Sequence, residues 1–399
     1  MRALSHLAAR GRVPGLLRAA VAIAAFVAPV AVSAQPPSAI PAAGPAAIGR
    51  PPAGVYLIHA IDVGTGLSLF VEGHDFALLY DAGSNDDSAL GRADRVLAYL
   101  HKVRPDLTTI DHLILSHPHE DHDAMMEDVL QAYSVRNVWD SGAVNDTCAY
   151  RAFLDAIIAE PGVVYHDALT SGGHRDQPMK ARSCRGSKRA AATLHIPQGP
   201  RIGTTAVPLG AGAQMTFLWA DGVTHPNLNE NSLVVRLDLG GRRILFPGDA
   251  QGGDRKPPST PPNPRYIEAK LLACCSAALR ADVLVAGHHG SMTSSRTAFL
   301  DAIGAKQFIV STGPMPYSGT QLPDPVVMDE LASRGTVWRT DATDKRILAL
   351  TGAPPGNACE INPAKIGPDN DGKPGGCDNV VLGIDSSGVI AVGYYRAAD

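Results

Sequence analysis

The sequence Ser-His-Pro-His-Glu-Asp-His-Asp, at residues 116–123, places three imidazoles and three carboxylates within eight positions. Residues 109–115, which precede it, have the length and branched apolar content of a buried β-strand. Residues 124–130, which follow it, have a pattern that is typical of a helix. The sequence therefore predicts an α/β fold in which a loop between a strand and a helix carries a concentration of metal-binding side chains.

The spacing within this loop predicts two ligand positions. His117 and His119 can act together, whereas Asp121 and His122 are turned toward a second position further into the helix. Neutral imidazoles and a carboxylate suit zinc best, and iron or manganese also accept carboxylate ligands. Helix capping explains an acidic residue at this place but does not require three histidines. We therefore interpret the loop as a metal site.

Two later motifs also follow apolar runs that are typical of buried strands. The acid Asp249 ends a Pro-Gly-Asp sequence directly after residues 243–246, and His288-His289 follows residues 281–287. We prefer His288 as the ligand of this pair because it comes first after the strand, and we keep His289 as its alternate.

The motifs occur in an order that resembles a known family. Ile-Asp-Val-Gly-Thr-Gly at residues 61–66, a hairpin, Tyr-Asp-Ala-Gly at residues 80–83, a helix and a strand precede the histidine motif. This arrangement resembles the metallo-β-lactamase superfamily and, within it, the hydrolase domain of competence-type DNA-uptake proteins. Thr65 and Leu67 stand where that subfamily has Gln and Asp, so the last acid of its motif is absent here. Asp62 and Asp81 are the acids of these two Gly-containing runs, and each fits a turn residue and a role at the site equally well.

The resemblance implies the αββα sandwich, in which two mixed β-sheets face each other and helices cover both outer faces. It also implies that Asp249 bridges two metal ions, since one carboxylate has two oxygens. The implied metal ligands are His117, His119, Asp121, His122, Asp249 and His288, with His289 and His225 as alternates. We expect about two zinc ions per chain, with manganese or iron as the alternative metals. The expected catalytic residues are Asp121 and Asp249, because either carboxylate can orient an attacking water and take its proton.

One ligand of the first ion is not identified. Superfamily members with a complete site have a third histidine between the first motif and the bridging acid, and the candidates here are His166, His174, His195 and His225. The position of His225, just before the hairpin that ends at the bridging acid, favours it. However, Asn229 and Asn231 resemble the asparagine-rich turn of competence-type domains, which often dispense with that histidine.

The N-terminus has the features of a signal peptide. In residues 1–34 four arginines precede an apolar run of 14 residues that ends in Val-Ser-Ala. The run is shorter than the roughly 20 residues of a membrane-spanning helix. We therefore expect cleavage, no membrane anchor in the mature chain, and a periplasmic or extracellular location. A Pro/Ala-rich linker is expected at residues 35–53, the hydrolase domain at 54–350, and a C-terminal extension with a final hairpin at 351–399.

Composition adds two constraints on the mature protein. The 399 residues, 45% of them hydrophobic and 19% charged, are enough for one large or two ordinary domains. Loss of the four arginines and of no acid changes the formal net charge from −4 to −8. An acidic protein is not a strong non-specific binder of polyanions.

Export makes the six cysteines candidates for disulfide bonds. Cys148 and Cys184 can pin the central part of the chain, and Cys359 and Cys377 can close a Gly/Pro/Asn/Asp-rich loop. The adjacent pair at 274–275 cannot be assigned from the sequence.

Residues 170–205 lose periodicity and contain five basic side chains around Cys184: Lys180, Arg182, Arg185, Lys188 and Arg189. We call this segment the basic insert. It is either a solvated loop or an anion-binding lip over the active site.

These features predict a function and two alternatives. Two adjacent divalent ions lower the pKa of a shared water, and the resulting hydroxide can attack an ester phosphorus or a carbonyl carbon. We expect an exported metal-dependent hydrolase that acts on phosphodiesters, either small anionic molecules or nucleic acid. One alternative is a hydrolase of lactones, β-lactams or other carbonyl esters, and the other is a metal-bearing binding protein without turnover. The oligomeric state is left open.

Overall fold

The computed structural model describes residues 49–85, 87, 91–184, 187–313, 315–317, 319–342 and 378–395. The expected signal peptide, residues 35–48 of the linker and the expected Cys359–Cys377 pair lie outside the described residues. None of the helices within these described ranges is long and apolar enough to cross a membrane.

The strands of the described residues are β1 Tyr56–Ala60, β2 Leu69–Glu72, β3 Ala77–Tyr80, β4 Thr109–Leu115, β5 Ser134–Asp140, β6 Val164–Asp167, β7 His174–Met179, β8 Arg182–Cys184, β9 Ser187–Arg189, β10 Ala192–Pro197, β11 Val207–Gly210, β12 Ala213–Trp219, β13 Val234–Leu239, β14 Arg242–Phe246, β15 Val283–Val285, β16 Gln307–Val310, β17 Thr336–Arg339, β18 Val380–Ile384 and β19 Ile390–Tyr394. The α-helices are α1 Arg95–Val103, α2 Glu120–Asp123, α3 Met126–Ala132, α4 Cys148–Ala159, α5 Ile267–Cys275, α6 Thr297–Ile303 and α7 Pro325–Ala332.

Two large mixed sheets form the centre of the fold. The first has the strand order β19-β18-β1-β2-β3-β4-β5-β6, and the second has the order β11-β12-β13-β14-β15-β16-β17. In each sheet an antiparallel part is followed by parallel strands, which begin at the β3–β4 pair and at the β14–β15 pair. Parallel neighbours end at the same edge of a sheet, so residues that follow β4, β14 and β15 can meet there.

Three apolar clusters hold the layers together. One lies between the sheets and joins Ile58 and Leu78 of the first sheet to Leu237 and Ile244 of the second. A second packs the outer face of the first sheet against α1, α3 and α4. The third packs the outer face of the second sheet against α5, α6 and α7. This layering confirms the predicted αββα sandwich.

The final hairpin belongs to the first sheet and is not an appendage of it. β18 pairs antiparallel with β1 over five residues, from Tyr56↔Ile384 to Ala60↔Val380. Asp62 anchors the start of this hairpin, because its Oδ2 accepts a hydrogen bond from the Asp378 N–H at 3.0 Å. The boundary expected at residue 350 therefore does not separate this hairpin from the sandwich.

The basic insert is a hairpin rather than an irregular loop. β7 and β10 pair antiparallel from His174↔Pro197 to Met179↔Ala192, and the short pair β8–β9 lies at the tip. A disulfide between Cys148 and Cys184 ties this tip to the first residue of α4, with the Cα atoms 5.7 Å apart. A second disulfide joins the neighbouring residues Cys274 and Cys275 at the end of α5.

Candidate metal centre

The site is built where strands of both sheets end. The histidine loop follows β4 of the first sheet, Asp249 follows β14 of the second, and His288-His289 follows β15 beside it. The polar side chains of these three segments form two overlapping groups. Within each group, one donor atom of every side chain lies within 4.8 Å of the donor atoms of the others.

The first group is formed by Asp121, His122, Asp249 and His289, all of them buried. His122 Nε2 lies 3.3 Å from Asp249 Oδ1 and 3.3 Å from His289 Nε2. His289 Nε2 also lies 3.3 Å from Asp121 Oδ2. Two imidazole nitrogens and two carboxylate oxygens thus converge on one point, and four such donors suit a zinc ion.

The second group is formed by His117, His119 and Asp249. His117 Nε2 lies 2.9 Å from His119 Nδ1 and 3.8 Å from Asp249 Oδ2. This group has two imidazoles and one carboxylate oxygen, which leaves room for a further ligand.

Asp249 belongs to both groups, and each of its oxygens faces a different one. Oδ1 faces His122 and His289, whereas Oδ2 faces His117 and His288. Oδ1 is buried and has no hydrogen-bond partner among the described residues. A buried carboxylate oxygen without a partner is costly, and a cation between it and the facing imidazoles would satisfy it. The donor set therefore fits two divalent ions that share this carboxylate.

Metal binding requires neutral imidazoles and ionised carboxylates, and His117 and Asp249 meet this requirement without an ion, whereas His122 does not. Burial lowers the pKa of His117 well below its usual value. Burial alone would raise the pKa of Asp249. The positive charges of His122, His288 and His289 instead hold this pKa well below its usual value. Burial opposes protonation of His122, but Asp249, Asp121 and Asp81 raise the pKa of this histidine well above its usual value. Bound metal cations would neutralise these carboxylates in place of the proton on His122.

Hydrogen bonds behind the ligands orient their rings. His122 Nδ1 donates to Asp81 Oδ2 at 2.8 Å, and Asp81 also accepts from the Ser116 N–H at 2.7 Å. His289 Nδ1 donates to the Ser311 carbonyl at 2.9 Å. Both rings therefore direct Nε2 into the centre, as is usual for histidine ligands with a carboxylate or carbonyl behind them. The sequence had left open whether the acid at position 81 is a turn residue or part of the site, and the structure gives it the orienting contact.

The structure places His289, rather than the preferred His288, in the four-donor group. Both residues have left-handed backbone conformations, with φ of 50° and 53°, and this turn directs the second ring inward. The His289 side chain is 1% exposed and stacks on Tyr317, whereas the His288 side chain is 18% exposed. His288 Nδ1 contacts Thr293 Oγ1 at 2.6 Å, and its Nε2 lies 3.6 Å from Asp249 Oδ2.

No third histidine joins His117 and His119 within the described part of the chain. His225, the alternate ligand, pairs instead with Asp221 at 2.8 Å, because the turn after β12 holds it outside the centre. His166 stacks on Trp139, and the two remaining candidates lie on the hairpin of the basic insert. Asn229 occupies the neighbourhood of the second group, with its Nδ2 at 3.3 Å from His288 Nε2. Its Oδ1 is buried without a hydrogen-bond partner among the described residues.

A cavity of about 370 Å³ opens over the two groups. Its walls are formed by Asn85, His119, Glu120, Asp121, Asn145, Thr147, Asp249, His288 and Tyr317. The ring of Tyr317 lies 5.1 Å from that of His289 at an angle of 21°, so it forms a flat wall beside the ligands. No motif in the sequence indicated this tyrosine, which lies in the segment after β16.

The basic insert reaches the rim of this cavity. The Lys180 N–H donates to Asp146 Oδ2 at 3.1 Å, and Asp146 lies between the cavity residues Asn145 and Thr147. The tip disulfide begins at the next residue, Cys148. Thr147 also caps α4 by accepting from the Tyr150 N–H, so the helix start, the disulfide and the cavity wall are one continuous structure.

A family profile and a known protein are similar in sequence to this chain. The profile of the metallo-β-lactamase superfamily matches residues 61–313. Recombination protein 2 of Haemophilus influenzae is 23% identical over 256 residues, which are 64% of this chain and 24% of that protein. The chain thus spans about a quarter of the length of this relative.

Two solved structures are similar at low identity. The metallo-β-lactamase fold protein YhfI from Bacillus subtilis is 13% identical, with a TM-score of 0.36, and the match covers 71% of this chain and 96% of that one. CmlA, a diiron β-hydroxylase from Streptomyces venezuelae, is 13% identical, with a TM-score of 0.37 and coverage of 72% and 53%. Because the profile covers more than half of the chain and includes all three ligand segments, the protein belongs to the metallo-β-lactamase superfamily of metal-dependent hydrolases.

Proposed function

We propose that this protein is an exported, dinuclear zinc hydrolase that cleaves phosphodiesters. The observation that carries the proposal is the position of Asp249, whose two oxygens face two separate groups of donors. His117, His119 and Asp249 would hold one ion, and Asp121, His122, Asp249 and His289 would hold the other. Histidine-rich donor sets of this kind favour zinc over magnesium or calcium.

Each part of the centre has a task in hydrolysis. When bound, the two ions would lower the pKa of a water and stabilise the negative charge that develops on the group under attack. Asp121 faces the cavity. Burial alone would raise the pKa of its carboxyl, but His122 and His289 hold this pKa below its usual value. Asp121 is therefore ionised, and its oxygen that does not face His122 and His289 can orient a water and accept its proton. Asn145 and Thr147 offer hydrogen bonds to a substrate in the cavity, and Tyr317 offers a ring face.

The basic insert favours an anionic substrate over a neutral one. Arg182 and Lys188 are exposed on the tip hairpin, which the disulfide holds beside the cavity rim. Local positive potential within a Debye length of about 8 Å outweighs the more distant negative charge of the protein at physiological salt. The similarity to a protein named for recombination supports a nucleic-acid-like phosphodiester as the substrate.

Export is part of the same proposal. It is supported by the signal-peptide features of residues 1–34 and by the disulfide between Cys148 and Cys184, since disulfides persist in oxidising compartments.

Substrate assays on the purified mature chain test the proposal. We expect hydrolysis of bis(p-nitrophenyl) phosphate and of single-stranded DNA, loss of both activities with a chelator, and recovery with zinc. Cleavage of a chromogenic β-lactam or a lactone, without phosphodiester cleavage, would establish the carbonyl alternative instead. A zinc-loaded protein that turns over neither class would leave only a metal-binding role and would contradict the proposal.

A further inference from the structure

A second group of metal-binding side chains lies outside the cavity, on the base of the basic insert. It consists of His174 and Asp176 on β7 and His195 on β10. Their side chains are 63%, 54% and 69% exposed, so they contribute nothing to the apolar core.

The hairpin register brings these three residues to one face. Residues two apart on a strand project to the same side, which places His174 beside Asp176. His195 is the direct cross-strand partner of Asp176. The neighbouring residues Leu194 and Ile196 are buried on the opposite face, and this burial fixes the exposed side of the hairpin.

The donor atoms converge on one point. His195 Nδ1 lies 2.6 Å and His174 Nε2 lies 3.3 Å from the same oxygen, Asp176 Oδ1. The two rings are 6.0 Å apart in an edge-to-face arrangement. One atom from each side chain lies within 4.8 Å of the others, which is a distance that a single ion can span.

We propose that His174, Asp176 and His195 form a second, solvent-exposed site for a divalent transition metal such as zinc, separate from the buried centre. Two imidazoles and one carboxylate on one face leave the remaining coordination positions to water, as in open sites of this ligand type. The ion would connect β7 to β10 at the base of the hairpin, while the disulfide holds its tip. This inference does not depend on the proposed phosphodiesterase function.

Calorimetric titration of the mature chain with zinc tests this site. The protein is first loaded with zinc at the buried centre and freed of excess ion, so that only additional binding is measured. We expect one further ion in the wild type, and binding at least about tenfold weaker in His174→Ala and in His195→Ala. His74→Ala is the matched control, because it removes an exposed histidine outside this cluster, whose Nδ1 lies 3.1 Å from the Pro51 carbonyl oxygen, and it should bind like the wild type.

Hydrogen exchange supplies a second readout that is independent of activity. Added zinc should slow exchange in residues 174–197 of the wild type and of His74→Ala, but not of His195→Ala, because only a complete site joins the two strands. Unchanged zinc content at the buried centre would show that the variants are folded. Absence of further zinc binding in the wild type, or equal affinity in His195→Ala, would overturn the proposal and leave the cluster as a surface hydrogen-bond network.

Discussion

Asp81 Oδ2 lies 2.8 Å from His122 Nδ1, and this contact directs the opposite nitrogen of the ring into the metal centre. Asp81 is fully buried and has a left-handed backbone conformation, with φ of 59°. Its second oxygen accepts the Ser116 N–H at 2.7 Å, which also fixes the start of the histidine loop. The acid that follows β3 thus sets the orientation of a ligand 41 positions later in the chain.

Replacement of this carboxylate should therefore weaken metal binding. In Asp81→Ala the ring of His122 loses its partner, and we expect zinc affinity to fall about 10–100-fold. Asp81→Asn keeps an acceptor oxygen and tolerates the left-handed backbone, so its effect should be smaller. Competition with a chromophoric chelator measures both variants. Affinity in Asp81→Ala equal to that of the wild type would show that the contact does not support the ligand.

Alanine replacement of each of the two histidines after β15 should change the zinc content differently. His289→Ala removes a donor of the four-membered group, so we expect loss of one of two zinc ions. His288→Ala removes a more exposed ring beside Asp249 Oδ2 and should retain both ions. Elemental analysis of the purified variants decides between them. Loss of an ion in His288→Ala but not in His289→Ala would instead support His288, the ligand that the sequence favoured.

Neutralising the basic insert should weaken the binding of anionic substrates. Arg182, Arg185 and Lys188 changed together to Gln should raise KM for a phosphodiester and flatten its salt dependence, while a neutral ester should be cleaved as before. The double variant Arg280→Gln, Lys306→Gln removes exposed charges from the segments that precede β15 and β16 and serves as the control. Equal losses on both substrates would indicate a folding defect instead of a lost charge effect.

The disulfide between Cys148 and Cys184 should hold the tip of the insert in place. It closes a segment of the chain with a sequence separation of 36, and such a cross-link is worth about 2–4 kcal/mol against opening. In the double variant Cys148→Ser, Cys184→Ser, hydrogen exchange in residues 180–190 should accelerate accordingly. Exchange in β4 and β14 provides the internal reference and should change little. Unchanged exchange at the tip would mean that packing on α4 alone holds the insert.

The ligand segments could be predicted from the sequence because each follows a local signal. Apolar runs before the histidine loop, before Asp249 and before His288 indicate strands, and the carboxyl ends of parallel strands meet at one edge. The two-sheet sandwich itself came from the order of the motifs, and the structure confirms it.

Other features depend on contacts that no local pattern encodes. Whether His288 or His289 turns inward is decided by two consecutive left-handed residues and by packing on Tyr317. The final hairpin joins the sheet through pairing between strands more than 300 positions apart, such as Tyr56 with Ile384. Long-range pairing of this kind leaves no signal in either strand alone.

The central claim is that Asp249 bridges two ions, and zinc content per chain tests it most directly. Protein prepared without added metal should contain about two zinc ions per wild-type chain. Asp249→Ala should contain one ion or none, because two cations without the shared carboxylate repel each other. Asp329→Ala, which removes an exposed acid on α7, is the matched control and should keep two. A wild type that hydrolyses substrate with no metal, or an Asp249→Ala variant with two ions and full rate, would contradict the account.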